Sequence, residues 1–206
     1  MDPLSLFLKK HQIQIDREMD ILLVGIDLEK DHSEEGFFLM RELFNNGYSV
    51  VGTDLSAEGV KKWEDRLPVT CDDIENTKIQ KKFDLIIFED VIEHVNNVGK
   101  AFNNLIKLLK DNGTCLITTP NAGFLGDLIR LHLTVSPSIF QDHVATFHSA
   151  HLSNLCRRNG LDNYSIHFYN SKPYYGLTSL LKYYALEIIT MLNRRYASHI
   201  GCKIKI

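Results

Sequence analysis

No stretch of this 206-residue chain supplies the roughly 20 consecutive apolar residues that a membrane-spanning helix needs. The nearest candidate, "YGLTSLLKYYALEIITMLNRR", is broken by Lys182 and Glu187 and is expected to be a packed or interfacial helix. Cysteine is scarce. Cys71, Cys115, Cys156 and Cys202 are widely scattered, which gives neither a CxxC metal or redox pair nor a disulfide framework. A basic surplus is also missing: 23 Lys and Arg against 26 Asp and Glu leave a formal charge of −3, so nucleic acid is not an expected partner. Residues 1–20 contain no basic segment leading into an apolar run and a small-residue cleavage site, and a cytoplasmic protein is expected. Glycine is absent between Gly25 and Gly36, where a G-x-G-x-x-G turn would need it, which argues against a nicotinamide dinucleotide site.

What is present alternates. Leu4, Phe7 and Leu8 suit a short leading helix within residues 1–20. "ILLVGI" is an apolar run of buried-strand type, "GFFLMRELFNNG" has helical spacing, and "YSVVGTDL" is again a strand. Ser56 stands where the N-cap of a second helix belongs. "PVTCDDI" and "KFDLIIFED" follow as strands, then a helix through "NNVGKAFNNLIKLLKDNG" that stops at its glycine, then the strand "TCLITTP". The pattern predicts a doubly wound, Rossmann-like α/β fold with a mostly parallel seven-stranded sheet and an antiparallel edge hairpin. It makes one domain: a cofactor-binding half over 21–120, a lid over 121–150, and a C-terminal region over 151–206 with a helical insertion at 173–195. In that insertion Leu177, Leu180, Leu181, Tyr184, Ile188 and Met191 form an apolar face, expected to pack over the last strands.

Ligands of such sheets sit at the carboxyl ends of the strands. Asp54, followed by Leu55, ends the second strand 18 positions after Gly36 and is placed to hold both hydroxyls of a ribose; the alternative is a helix cap ahead of Ser56. Asp72 and Asp73 follow the third strand, where a carboxylate could accept from an adenine amine or simply close an exposed turn.

"FDLIIFEDVIEHV", with "LLKDNGTCLITTPN" after it, resembles the class I S-adenosylmethionine-dependent methyltransferases over roughly residues 20–170, particularly the small-molecule and glycan-modifying members. The resemblance implies S-adenosylmethionine as cofactor, with Gly25 and Gly36 as the first and last glycines of an enlarged and acidic first loop. It implies that Glu89 and Asp90 flank the cofactor and that His94 lies at the pocket floor, unless its ring is merely satisfied within a helix turn. For the reaction itself, His143 and His148 in the lid are the candidate general bases, since imidazole accepts protons near neutrality; Asp142 is a candidate partner of His143. Surface or core roles are the alternatives for both histidines. No metal site is expected, because His143, His148 and His151 lack matching Cys or carboxylate spacing. The expected activity is methyl transfer to a small molecule or saccharide by a monomer or homodimer. The alternative is a degenerate methyltransferase-like binding or scaffold protein.

Overall fold

The fold grows from the apolar run at residues 20–24. In the computed structural model, which describes residues 3–28, 35–133, 143–171 and 177–206, this run is β1 (Asp20–Val24). It pairs in parallel with β2 (Ser49–Asp54) on one side and β4 (Phe83–Glu89) on the other. β3 (Val69–Cys71) adds to β2, and β5 (Leu109–Pro120) adds to β4, both in parallel. β7 (His199–Lys205) runs antiparallel to β5, and β6 (Tyr164–Tyr169) antiparallel to β7. The order is β3-β2-β1-β4-β5-β7-β6, so the chain reverses direction across the sheet between β1 and β4. That reversal opens the crevice where ligands of this architecture bind.

Helices cover both faces, which is why the central strands read as unbroken Ile, Leu and Val rather than as alternation. α1 (Pro3–His11), α2 (Glu35–Asn45) and α3 (Ala57–Trp63) lie on one face, where Leu4, Phe7, Met40, Leu43 and Val60 pack on Ile21, Leu23, Leu85 and Ile87. On the other face α4 (Val98–Lys107) and α6 (Ser149–Arg158) bring Phe102, Leu105, Leu152 and Cys156 against Ile86, Phe88, Ile117 and Cys202. α5 (Leu125–Leu133) follows β5, and α7 (Leu177–Leu192) joins β6 to β7. Ser56 caps α3 as expected, accepting from the Gly59 amide at 3.0 Å, a bond worth about 1 kcal/mol.

Two expectations need correction. The fourth helix ends at Lys107, not at Gly113. Leu108 and Leu109 are both buried and Leu109 already pairs with Phe83, so β5 starts there and the Lys110–Gly113 segment becomes an irregularity, with Asn112 at φ 63°. The apolar face of the C-terminal insertion is also misplaced: Tyr184, Ile188 and Met191 point to solvent rather than onto the final strands. The side chains of Leu177 and Leu181 lie outside the described residues, as do Asp142 and the acidic loop over 29–34.

Candidate active site at the strand ends

The carboxyl ends of β1 to β4 enclose a crevice of about 450 Å³, within the range of small-molecule sites. Gly25 and Asp27 line it after β1, Asp54 and Leu55 after β2, Asp72, Asp73 and Glu75 after β3, and Asp90, Val91 and His94 after β4. A larger cavity of about 810 Å³ opens at the opposite end of the sheet, beside Lys9, Asp84, Asp111 and Lys203, away from the reversal point. Carboxylates dominate the crevice, and such a lining favours a cationic guest.

Local sequence explains the geometry. Gly25 turns the chain out of β1 at φ 74°, and a Cβ there would lie 2.4 Å from Val91 Cγ2, so the backbone can skirt the crevice only without a side chain. Asp54 holds the loop that follows: Oδ2 accepts from the Leu28 amide at 3.1 Å and Oδ1 from the Ser56 amide at 2.8 Å. Each oxygen keeps capacity for a further donor. Asp54 thus fixes the amide of Ser56, the residue that caps α3, and lines the crevice as well. Asp73 caps the turn at Ile74–Asn76 by accepting from the Glu75 amide, and Asp72 accepts from the Lys78 amide.

After β4 the chain enters the left-handed region at Asp90 (φ 49°). The Asp90 amide is held by the Thr118 carbonyl, and the Thr118 hydroxyl donates to Asp90 Oδ1 at 3.1 Å; His199 Nε2 stands 3.6 Å from Oδ2. Three residues on, Glu93 is buried, and its Oε2 accepts from the Thr119 hydroxyl at 2.9 Å. Its carbonyl accepts from the amides of Val144 and Ala145, which pins residue 143 against the end of β4. His143 therefore meets His94 with ring centroids 4.6 Å apart at 88°. Ligand atoms of Glu93, His94 and His143 all fall within 4.8 Å of one another, a set chemically able to pass a proton or hold a divalent ion. Sequence spacing gave no sign of this cluster.

The sequence-derived residues divide accordingly. Gly25, Asp54, Leu55, Asp72, Asp73, Asp90 and His94 share the crevice, and His143 adjoins it through His94. Gly36 lies in the first turn of α2, and Glu89 at the end of β4 is not among the lining residues. His148 is exposed at the start of α6, where its amide donates to His151 Nδ1, and it does not join the histidine pair. Asn121, which closes the "TTPN" stretch, is buried, donates to the carbonyls of Arg195 and Ala197, and so ties the exit of β5 to the entry of β7.

The family model described as a methyltransferase domain matches residues 35–166. The chain belongs to that methyltransferase family. A ubiquinone biosynthesis O-methyltransferase of Pelagibacter ubique (strain HTCC1062) is 33% identical over 93 residues, 42% of this chain and 39% of the relative. The chain therefore matches well under half the length of that curated relative. Among solved structures, an S-adenosylmethionine-dependent methyltransferase from Archaeoglobus fulgidus superposes with a TM-score of 0.64 over all of both chains at 14% identity. Phosphoethanolamine N-methyltransferase 2 of Haemonchus contortus, solved with S-adenosyl-L-methionine, gives a TM-score of 0.59 at 16% identity, covering 98% of this chain and 51% of that one. These likenesses establish the class I methyltransferase fold, whose cofactor is S-adenosylmethionine. The crevice of this methyltransferase fits that group: its carboxylate lining would suit a guest that carries sulfonium and ammonium charge, and Gly25 presents bare backbone to it.

Proposed function

We propose that the protein methylates a hydroxyl oxygen of a small-molecule acceptor, a saccharide hydroxyl being the alternative acceptor class. The observation that carries this reading is one continuous site, in which a carboxylate-lined crevice at the ends of β1 to β4 runs into the His94–His143 pair. The matched relative, named for O-methylation in ubiquinone biosynthesis, supports an oxygen acceptor.

When bound, S-adenosylmethionine supplies a methyl group already activated on sulfur. The chain's own residues do the rest. Asp54 accepts the ribose hydroxyls, Asp72 or Asp73 meets the adenine amine, and Asp27 and Asp90 balance positive charge near the turn at Gly25. His143 takes the proton of the acceptor hydroxyl, and Glu93, fixed by Thr119, holds the pair in place. Positioning provides most of the acceleration, because the displacement needs only aligned partners.

Calorimetry with S-adenosylmethionine and S-adenosylhomocysteine tests the cofactor step, and micromolar affinity is expected. Release of S-adenosylhomocysteine with a panel of phenolic and saccharide acceptors then separates the two acceptor classes. Absence of binding up to millimolar concentration would leave a methyltransferase-like binding or scaffold protein instead.

A further inference from the structure

The Asp90 carboxylate is held from two other strands. Its side chain lines the crevice after β4, and the neighbouring strand β5 takes one oxygen: the Thr118 hydroxyl donates to Oδ1 at 3.1 Å. The other oxygen, Oδ2, faces β7, the strand beyond, where His199 Nε2 stands 3.6 Å away. At that separation the contact is electrostatic, and a shift of about 0.5 Å makes it a hydrogen bond. Asp90 itself sits at φ 49°, a backbone conformation that non-glycine residues hold only where their surroundings fix it.

The His199 imidazole is oriented on three sides. One face stacks on Tyr169 of β6, with ring centroids 5.4 Å apart at 26°, and Nδ1 lies 2.8 Å from the Ser198 hydroxyl. Ser198 Oγ accepts from the Ser171 amide at 3.0 Å, which leaves its own proton for Nδ1. That bonding assigns the ring proton of the neutral imidazole to Nε2, directed at Asp90. Further out, the Ser198 amide donates to Asn170 Oδ1 at 3.1 Å, and Asn170 Nδ2 donates to Glu187 and Thr190 of α7. A polar chain thus runs from α7 through the start of β7 to the crevice. An apolar ring would stack on Tyr169 equally well; what imidazole adds is a donor aimed at Asp90.

We propose that His199 is a positioning residue of the cofactor site: its Nε2–H fixes Asp90 Oδ2, so that the carboxylate faces the cationic side of S-adenosylmethionine. This rests on the role given to Asp90 above. The sulfonium is the charge that separates S-adenosylmethionine from S-adenosylhomocysteine, since sulfur becomes a neutral thioether when the methyl group leaves. A carboxylate held toward that charge favours the methyl donor over the spent product, so His199 acts on the discrimination between the two.

Calorimetry with both compounds on the full chain tests this. His199→Phe keeps the stack on Tyr169 and removes the donor. It is expected to lose about fivefold in affinity for S-adenosylmethionine, the worth of about one hydrogen bond, while S-adenosylhomocysteine affinity changes less than about twofold. His199→Gln, which carries an amide donor, should stay within about twofold of wild type for both. In an Asp90→Asn background His199→Phe should have no further effect, because it acts through the carboxylate. Thermal melts check folding; should His199→Phe fail to fold, Ser198→Ala, which releases Nδ1, stands in for it with the same selective loss expected. Wild-type S-adenosylmethionine affinity in His199→Phe, equal losses for both compounds, an undiminished loss in the Asp90→Asn background, or a Gln variant as weak as the Phe variant would overturn the proposal. Asp90→Asn alone separates it from the reading beneath it. If that variant binds S-adenosylmethionine as wild type does, the role of Asp90 fails and that of His199 with it; a weakened Asp90→Asn beside an unaffected His199→Phe removes the positioning alone.

Discussion

His143 stands edge-on to His94, ring centroids 4.6 Å apart, and the contact exists because the amides of Val144 and Ala145 both donate to the Glu93 carbonyl. The lid residue is thereby held at the end of β4, beside the crevice that His94 lines. If His143 takes the acceptor proton, replacing it should slow chemistry and spare the cofactor. His143→Ala is expected to lower kcat about a hundredfold or more while S-adenosylhomocysteine affinity changes less than about twofold. Steady-state turnover and calorimetry on one preparation check both halves. Equal losses in affinity and turnover would contradict the assignment.

If Asp54 holds the cofactor as well as the loop, its variants should separate the two roles. Asp54→Asn keeps one carbonyl acceptor for the Leu28 or Ser56 amide but loses the charge, so cofactor affinity is expected to fall about tenfold with little change in melting temperature. Asp54→Ala leaves both amides unbonded and should destabilise the fold by about 1–2 kcal/mol as well. Calorimetry paired with thermal melts distinguishes these outcomes from a purely structural role, in which the Asn variant would bind the cofactor normally.

The strands and the crevice were legible because their signals are local. Continuous apolar runs identify buried parallel strands, and an acidic residue closing the second one falls where the sheet must place it. The Glu93–His94–His143 cluster was not legible as a unit, since loop residues carry no periodicity and backbone bonds to the Glu93 carbonyl bring His143 in from a distant segment. Periodicity found the apolar stripe of α7 but not its direction. Spacing is the same whether a stripe faces in or out, and here Asn170 decides by drawing Glu187 and Thr190 inward. The end of α4 escapes the pattern for a similar reason: a glycine signals a stop, but buried Leu108 and Leu109 commit the chain to β5 before Gly113 is reached.

Gly25 offers a backbone test of the crevice. An alanine there must adopt φ 74° and place its Cβ 2.4 Å from Val91 Cγ2, so Gly25→Ala is expected to cost about 1–2 kcal/mol of stability and to weaken cofactor binding. Adding Val91→Ala removes the clash and leaves the dihedral strain, so the double variant should recover part of the loss. Urea unfolding of wild type, single and double variants measures both contributions; full recovery would show that strain at Gly25 is negligible.

Acid stability depends on a histidine remote from the strand-end crevice. His11 on α1 is 1% exposed and shares a 2.9 Å hydrogen bond from Nδ1 to His167 Nε2. Burial, reinforced by the nearby charge of Lys10, holds its pKa down at about 2 instead of 6.5, and burial likewise brings His167 to about 4. Below pH 6.5 the unfolded chain therefore binds protons that the folded chain refuses, and stability falls as pH falls. For His11 the loss begins near pH 6.5 and continues down toward its folded value, amounting to about 2 kcal/mol between pH 7 and pH 5. His11→Leu removes this proton uptake, so its unfolding free energy should decline less steeply over the same interval, with the residual slope coming from His167 and the carboxylates. Urea titrations at pH 5, 6, 7 and 8 give the two slopes. Parallel slopes for wild type and variant would mean that His11 takes up its proton in the folded protein as readily as in the unfolded chain, and that the α1–β6 contact opens at little cost.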